Sequence, residues 1–199
     1  MTPFPKLLGR VAADLEGCGR SWALVGGLAV AARTEPRFTR DLDIVVSVDT
    51  DSQALDVVRR LRASGYQVEA VVEQTAVSRL AAVRLRPPGS HEEPVVDLLF
   101  ASSGVEREVA AGAQPLEILT GLSVPVATLG ALLALKVLSR EDRRRPQDRV
   151  DLQALVTRAE GGDLEEARRL LHLIRERGFH RGKDLEAGLQ QALQEFAEA

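Results

Sequence analysis

One apolar run that carries two carboxylates places the strongest constraint on the fold of this chain. The run is Asp41-Leu42-Asp43-Ile44-Val45-Val46, and its β-branched residues predict a strand over residues 41–48. Successive side chains of a strand point to opposite faces. Asp41, Asp43 and Val45 therefore share one face. The other face is formed by Leu42, Ile44 and Val46. The sequence predicts a strand that packs on a core with one face and presents acids to a site with the other.

A second apolar run repeats this arrangement with one acid, Asp97, within residues 95–100. An ionised carboxylate in such a strand costs free energy unless a cation or hydrogen bonds compensate it. Three carboxylates from two neighbouring strands can hold two Mg²⁺ ions about 3.5 to 4 Å apart, a geometry suited to phosphoryl transfer. Oxygen ligands favour Mg²⁺ or Mn²⁺ over zinc. We therefore expect Asp41, Asp43 and Asp97 to converge on one metal site.

A glycine pair, Gly26-Gly27, precedes the acidic strand. It follows a predicted strand at residues 22–25 as a tight turn and leads into a predicted short helix at residues 28–33. Glycine lets backbone amides approach a phosphate, and the N-terminus of a helix favours an anion. Taken separately, such a turn and an Asp-x-Asp pair are usually structural, and the acids could simply be half solvated beside Arg37 or Arg40. The glycine pair, the Asp-x-Asp pair and Asp97 occur in this order along the chain, and together they favour a site for metal and phosphate.

The apolar pattern divides the chain into a strand-rich part and a helical part. The predicted strands are residues 22–25, 41–48, 66–72, 78–85, 95–100, 116–119 and 122–126. Helical stripes are expected within residues 6–17 and 55–65, and four more follow Thr128. The fold class is thus α+β (mixed α/β), with a mixed domain at residues 1–127 and a C-terminal helical region at residues 128–199 packed on it.

Composition narrows the functional classes. A net charge of -3 argues against a protein that binds nucleic acid by bulk electrostatics, although Arg143-Arg144-Arg145 forms a local basic cluster or a solvated helix end. No apolar run reaches the roughly 20 residues of a membrane span. One cysteine, Cys18, and an N-terminus without signal-peptide organisation favour the cytoplasm.

Several spaced motifs resemble one enzyme superfamily. They are Gly26-Gly27, Arg37-Phe38-Thr39-Arg40-Asp41-Leu42-Asp43, Asp97, Ala134-Leu135-Lys136, the arginines at 143–145, and Gln147-Asp148-Arg149-Val150-Asp151-Leu152. In this order they resemble the nucleotidyltransferases typified by DNA polymerase beta, and more narrowly the AbiEii/AbiGii toxin-type nucleotidyltransferases. The resemblance covers residues 22–155 and implies a nucleotidyltransferase-like mixed sheet flanked by helices.

The resemblance implies roles for the residues of the strand-rich part. Asp41, Asp43 and Asp97 would be metal ligands and catalytic carboxylates. Asp97 would also be the base that takes the proton from an attacking hydroxyl. Gly26 and Gly27 would cradle a triphosphate.

Other matched residues would complete the nucleotide site. Arg37 and Thr39 would anchor the loop or touch phosphate. Lys136 would reach a phosphate from the helical side, where Asp148 and Asp151 organise the surface. Without the resemblance, Lys136 is equally well explained as a lysine that extends from an apolar helix to solvent, and the two acids as favourable charges near a helix N-terminus.

The implied activity is Mg²⁺- or Mn²⁺-dependent transfer of a nucleoside monophosphate from an NTP to an acceptor hydroxyl, on an RNA 3′ end or a protein. A toxin with a cognate antitoxin is implied as well. Two departures from the family pattern, Leu28 after the glycine pair and Gln147 in place of lysine, favour an alternative: a catalytically weak nucleotide-binding or protein-interaction module. A nucleotidyltransferase acting on a small molecule such as an antibiotic is the third hypothesis.

Overall fold

The computed structural model of the chain describes residues 4–35, 41–75, 77–89, 94–141 and 146–196. Within these ranges one sheet contains β1 (Trp22–Val25), β2 (Leu42–Val46), β3 (Gln67–Gln74), β4 (Arg79–Arg86), β5 (Val96–Leu99), β6 (Gln114–Leu119) and β7 (Leu122–Val126). The helices are α1 (Phe4–Glu16), α2 (Gly26–Arg33), α3 (Asp51–Ala63), α4 (Glu106–Gly112), α5 (Leu129–Ser139), α6 (Pro146–Arg158), α7 (Gly161–Glu176) and α8 (Leu185–Phe196).

The sheet is mixed, and its strand order is β3-β4-β5-β2-β1-β7-β6. Strands β2 and β5 pair in parallel, as do β1 and β7, whereas the other neighbours pair antiparallel. Because a parallel pair needs a crossover connection, the chain leaves β2 through α3 and the β3–β4 hairpin before it returns as β5. The acidic strand β2 consequently lies inside the sheet, between β5 and β1.

The apolar faces predicted for the two acidic strands lie in the core. Leu42 and Ile44 of β2 are fully buried, and so are Val96 and Leu98 of β5. Burial of each such side chain contributes about 1.5 to 3 kcal/mol. One hydrophobic cluster contains these strands together with the inner faces of α5, α6, α7 and α8. The domain boundary between residues 127 and 128 stays a prediction, since the core is continuous across it.

Most elements predicted from the sequence are present. All seven predicted strands occur, with ends that differ by no more than two residues, and the four helical stripes after Thr128 correspond to α5 to α8. Thr128 begins this region as the N-cap of α5, because its hydroxyl accepts a hydrogen bond from the Ala131 backbone N–H. The mixed α/β fold class with a C-terminal helical region is confirmed.

One local prediction is wrong, and one helix was missed. The tight turn expected at Gly26-Gly27 does not form a separate segment, because α2 begins at Gly26 itself. A φ of 64° at Gly26 redirects the chain from strand to helix within one residue, which glycine permits without a steric penalty. Helix α4 was not predicted at all. With seven residues, it is too short to show a clear helical period.

The helices are short compared with the thickness of a bilayer. The longest helix in the described ranges, α7, has 16 residues, whereas about 20 are needed to span the hydrocarbon core. No helix in the described part of the chain is both long and apolar enough to cross a membrane.

A buried glutamate organises the loop between β5 and α4. The Glu106 side chain accepts hydrogen bonds from the backbone N–H groups of Ser102 and Ser103 at 2.8 and 2.6 Å, and from the Ser103 hydroxyl at 2.9 Å. Only 4% of Glu106 is exposed. One carboxylate oxygen therefore satisfies three donors, of which the two on Ser103 are buried.

We expect Glu106→Ala to lower the free energy of unfolding by about 2 to 3 kcal/mol, because the substitution leaves these donors unsatisfied. Glu106→Gln retains an acceptor oxygen and should lose about 1 kcal/mol. Urea denaturation of the purified variants measures both values. Equal losses in the two variants would contradict the importance of the acceptor oxygen.

Candidate active site

The register of β2 and β5 places two of the predicted site residues side by side. Asp43 and Asp97 are directly paired residues of these parallel strands, which in a sheet lie about 4.8 Å apart. Both side chains are partly exposed, and both line the same cavity. The sheet therefore brings Asp43 and Asp97 together on its open face, as the period of the two strands required.

Asp41 lies at the edge of this arrangement. It is exposed and immediately precedes the first residue of β2, so it is outside the strand that was predicted to contain it. It does not line the cavity, but its charge acts on Arg84 together with the charges of Asp43 and Asp97. The charges of all three carboxylates therefore act on one guanidinium.

Arg84 lines the cavity and was not identified by the sequence analysis. It is the partner of Asp97 in the antiparallel pairing of β4 with β5. Its Nε and Nη2 atoms donate to the two oxygens of Asp97 at 2.8 and 2.7 Å, which is a bidentate pair. These hydrogen bonds are the largest cause that raises the pKa of Arg84, and the negative charges of Asp97, Asp41 and Asp43 raise it further against the opposing effect of burial. No sequence signal distinguished Arg84, since the pairing depends on the strand register.

Gly26 makes the closest backbone approach to the acidic strand. Val25 pairs with Asp43 across β1 and β2, so the next residue turns directly over the Asp43 side chain. A Cβ atom placed on Gly26 would lie 1.9 Å from Asp43 Oδ2, which is an overlap. Glycine at this position is required by the positive φ and by the neighbouring carboxylate. Gly27 follows as the second residue of α2 and is partly exposed.

Lys136 lies between two buried carboxylates of the helical region. Its Nζ atom on α5 is 2.8 Å from Asp148 Oδ1 and 2.6 Å from Asp151 Oδ2, both on α6. The Asp148 and Asp151 side chains are 3% and 1% exposed, and that of Lys136 is 12% exposed. This geometry differs from a lysine that extends to solvent. It also differs from exposed acids at a helix start, although Asp148 lies in the first turn of α6.

One cavity of about 680 Å³ connects these groups. Gly26, Asp43, Asp97, Arg84 and Lys136 all line it, so the strand-rich and helical parts contribute polar groups to the same space. Its remaining wall is largely apolar and includes Ala70, Val72, Leu99, Leu132 and Leu135. Cavities of this volume, with a few convergent polar groups, are typical of small-molecule and cofactor sites.

Some predicted residues lie outside the described ranges, namely Arg37, Thr39, Arg40 and the arginines at 143–145. The two residues that depart from the family pattern, Leu28 and Gln147, lie within the described ranges. Leu28 is partly buried on α2 and packs against the core cluster, whereas Gln147 is exposed near the start of α6.

The donor atoms at the sheet are carboxylate oxygens, which suit a hard divalent cation. In the conformation of the described residues, no group of three or more His, Cys, Asp or Glu side chains is close enough to hold a metal ion. The Arg84 guanidinium already supplies one positive charge to Asp97. The donor atoms therefore suit a hard divalent cation in their chemistry, whereas the described conformation does not bring three of them together.

Substitution of Gly26 tests the close approach of Asp43. Gly19→Ala provides a matched control, because Gly19 has a φ of 66° and nothing within 4 Å of an added Cβ. We expect Gly19→Ala to lower the free energy of unfolding by about 1 to 2 kcal/mol through φ alone. Gly26→Ala should lose about 1 to 3 kcal/mol more, because Asp43 has to move. Chemical denaturation measures the difference, and equal losses would contradict a tight contact.

Three solved structures similar to this one carry nucleotidyltransferase or adenylyl-transfer descriptions. An antigenic nucleotidyltransferase-like protein from Paracoccidioides brasiliensis is 22% identical, with 93% of this chain and 91% of that chain covered and a TM-score of 0.51. ANT(2")-Ia in complex with adenylyl-2"-tobramycin is 14% identical. The match covers 96% of this chain and 97% of that chain, with a TM-score of 0.50. The lincosamide antibiotic adenylyltransferase LnuA, lincomycin-bound, is 16% identical. The match covers 77% of this chain and 97% of that chain, with a TM-score of 0.52. At these identities the likeness shows a shared fold.

A search of curated protein sequences returns no match. Residues 7–199 match the family described as Nucleotidyl transferase AbiEii toxin, Type IV TA system. This match spans nearly the whole chain, and it confirms both the resemblance drawn from the motifs and the prediction of a nucleotidyltransferase enzyme. The chain therefore belongs to the AbiEii nucleotidyltransferase toxin family.

Proposed function

We propose that the chain transfers the nucleoside monophosphate of an NTP to an acceptor hydroxyl, with Mg²⁺ or Mn²⁺ held by Asp41, Asp43 and Asp97. The observation that carries the proposal is the pairing of Asp43 with Asp97 beside Gly26, on the wall of one cavity. In the reaction, the acceptor oxygen forms a bond to the α-phosphorus, and the bond from that phosphorus to the bridging oxygen breaks. Pyrophosphate leaves.

The carboxylates of the sheet have two tasks in this proposal. Asp41 and Asp43 would hold the cation at the start of β2, and Asp97 would complete the ligand set from β5. A bound divalent cation supplies charge neutralisation for the α-phosphate and the leaving oxygen. Asp97 also accepts the proton of the attacking hydroxyl, because it is the acid on the strand beside the ligand pair.

The groups around the cavity bind the phosphates. The backbone at Gly26 and Gly27 forms the start of α2, where N–H groups without helical partners and the helix dipole attract an anion. Lys136 approaches from α5 and lines the same cavity. Asp148 and Asp151 fix its position from α6, because both carboxylates contact Nζ. Arg37 and Thr39 join the phosphate site in this proposal by their place in the motif.

The proposed acceptor is an RNA 3′ end or a protein hydroxyl, and the proposed setting is a toxin–antitoxin pair in the cytoplasm with a cognate antitoxin. The description of the family as a toxin of a Type IV TA system supports this setting. A second candidate is adenylyl transfer to a small molecule, because the similar structures include an adenylyltransferase bound to lincomycin. A third is a module that binds nucleotide with weak catalysis, because Leu28 packs in the core and offers no hydroxyl to phosphate.

Incubation of the purified protein with Mg²⁺ and each labelled NTP tests the activity. We expect label on RNA, on a lysate protein or on the protein itself, and a loss of about 10²- to 10³-fold in Asp43→Asn, because a ligand to the charge-neutralising cation is removed. Asp56→Asn is the matched control, since Asp56 is an exposed acid on α3 that pairs with Arg59 outside the cavity. Label on none of these acceptors would refute the RNA and protein acceptors, whereas calorimetric NTP binding without turnover would favour the weak module.

Lys136 should be needed for stability as well as for binding phosphate. Lys136→Met leaves two buried carboxylates without their shared cation, so we expect the free energy of unfolding to fall by about 3 to 5 kcal/mol. The triple variant Lys136→Met/Asp148→Asn/Asp151→Asn removes the buried charges and should recover part of this loss. Denaturation curves provide the comparison. A Lys136→Met variant as stable as the parent would contradict the buried ion pair as described.

A further inference from the structure

In the described part of the chain, three cationic side chains line the cavity, and two of them already contact acids. The Arg84 guanidinium pairs with Asp97, and the Lys136 ammonium lies between two buried carboxylates. The third cation is Arg181, which forms no ion pair with an acid of the described ranges. A ligand anion in the cavity therefore meets least competition from protein carboxylates at Arg181.

Arg181 lies in the loop between α7 and α8, at the side of the cavity that follows β5. Its Nη2 atom donates a hydrogen bond to the backbone carbonyl of Ser102 at 3.0 Å. Ser102 comes three positions after Leu99, the last residue of β5, and both line the cavity together with Asp97. The cavity thus extends from the row of acids along β5 to this arginine.

The loop that carries Arg181 is held on the body of the protein. Two residues later, Lys183 Nζ donates to the backbone carbonyls of Leu138 and Arg140 at 2.7 and 2.9 Å, at the C-terminal end of α5. Arg181 itself has a φ of 55°, which residues other than glycine rarely adopt. Such conformations persist where the surrounding structure holds them, and they cluster at ligand sites. The backbone at Arg181 is therefore a second observation that favours a binding role.

The Arg181 guanidinium retains donors for a ligand. A guanidinium has five N–H donors, and the hydrogen bond to Ser102 uses one of them. Its planar fork matches the geometry of a phosphate group, to which arginine donates two parallel hydrogen bonds. The cavity volume of about 680 Å³ is that of a site for a small molecule such as a nucleotide, rather than a groove for a long strand.

We propose that Arg181 binds a phosphate group of the nucleotide that occupies the cavity. This inference rests on the proposed function, because it needs an NTP as the ligand. It adds a binding residue from the C-terminal helical region, outside every motif that carries the family resemblance. Arg181 thereby supplies a positive charge that the protein does not already pair with one of its own acids.

Calorimetric binding of each NTP and of the matching nucleoside, with Mg²⁺ present, tests the inference. We expect Arg181→Asn to weaken the Kd for the bound NTP about tenfold, because a charge-assisted contact is lost. The nucleoside lacks phosphate, so its Kd should change by less than about twofold. Asparagine suits the test because it tolerates a positive φ better than most residues. Arg181→Lys should recover part of the loss, since the charge remains without the fork.

Arg169→Gln is the matched control for the loss of one positive charge. Arg169 is exposed on α7 and does not line the cavity, so the Kd for the NTP should stay unchanged. Equal NTP affinity in wild type and Arg181→Asn would overturn the inference. Equal weakening in Arg181→Asn and Arg169→Gln would overturn it as well, because the effect would then come from net charge and not from contact.

The remaining outcomes separate this inference from the proposed function. If Arg181→Asn weakens binding of a short RNA strand but not of the NTP, Arg181 serves the acceptor and the inference fails while the proposed transfer stands. If wild type binds no NTP, the inference and the nucleotide part of the proposed function fail together. If NTP binding depends on Arg181 but no transfer occurs to any acceptor, the inference stands and the catalytic proposal fails.

Discussion

The parallel pairing of β2 with β5 is the constraint on which the cavity depends. It places Asp43 beside Asp97, and the apolar partners of these acids, such as Leu42 and Leu98, are fully buried on the opposite face. A shift of one residue in either strand would send a carboxylate into the core and a leucine to the cavity. Hydrophobic burial therefore fixes the register, and the register places the acids.

Strand β4 supplies a positive charge beside this row of acids. Arg84 is positioned by the antiparallel pairing of β4 with β5, and its guanidinium contacts Asp97 through two hydrogen bonds. On the other side of β2, the start of α2 at Gly26 lies so close to Asp43 that an added Cβ atom would overlap the carboxylate. Strands β2, β5 and β4 thus bring two acids and one arginine into one row, and the start of α2 lies beside it.

The helical region contributes Lys136 to the cavity, and buried ion pairs rather than strand register hold this side chain. Lys136 is held by Asp148 and Asp151, which are themselves buried, so the three charges depend on one another. Breaking such a group is costly because it leaves an uncompensated charge away from water, even when the intact group contributes little net stability. The two carboxylates thus fix the direction of the Lys136 ammonium group at the wall of the cavity.

The sequence by itself determined the seven strand positions, the four C-terminal helices and the shared face of Asp43 and Asp97, because these follow from the local periods of apolar residues. The role of Lys136 as a site residue was implied only by the family resemblance, and it stays a prediction. Only the tertiary structure decided that Arg84 pairs with Asp97 and that Lys136 pairs with buried acids. Both contacts join separate elements. Arg84 and Asp97 are 13 residues apart in the sequence, and Lys136 and Asp148 are 12 residues apart. These contacts depend on strand register and helix packing. Both are set by the packing of the whole core and not by a local sequence pattern.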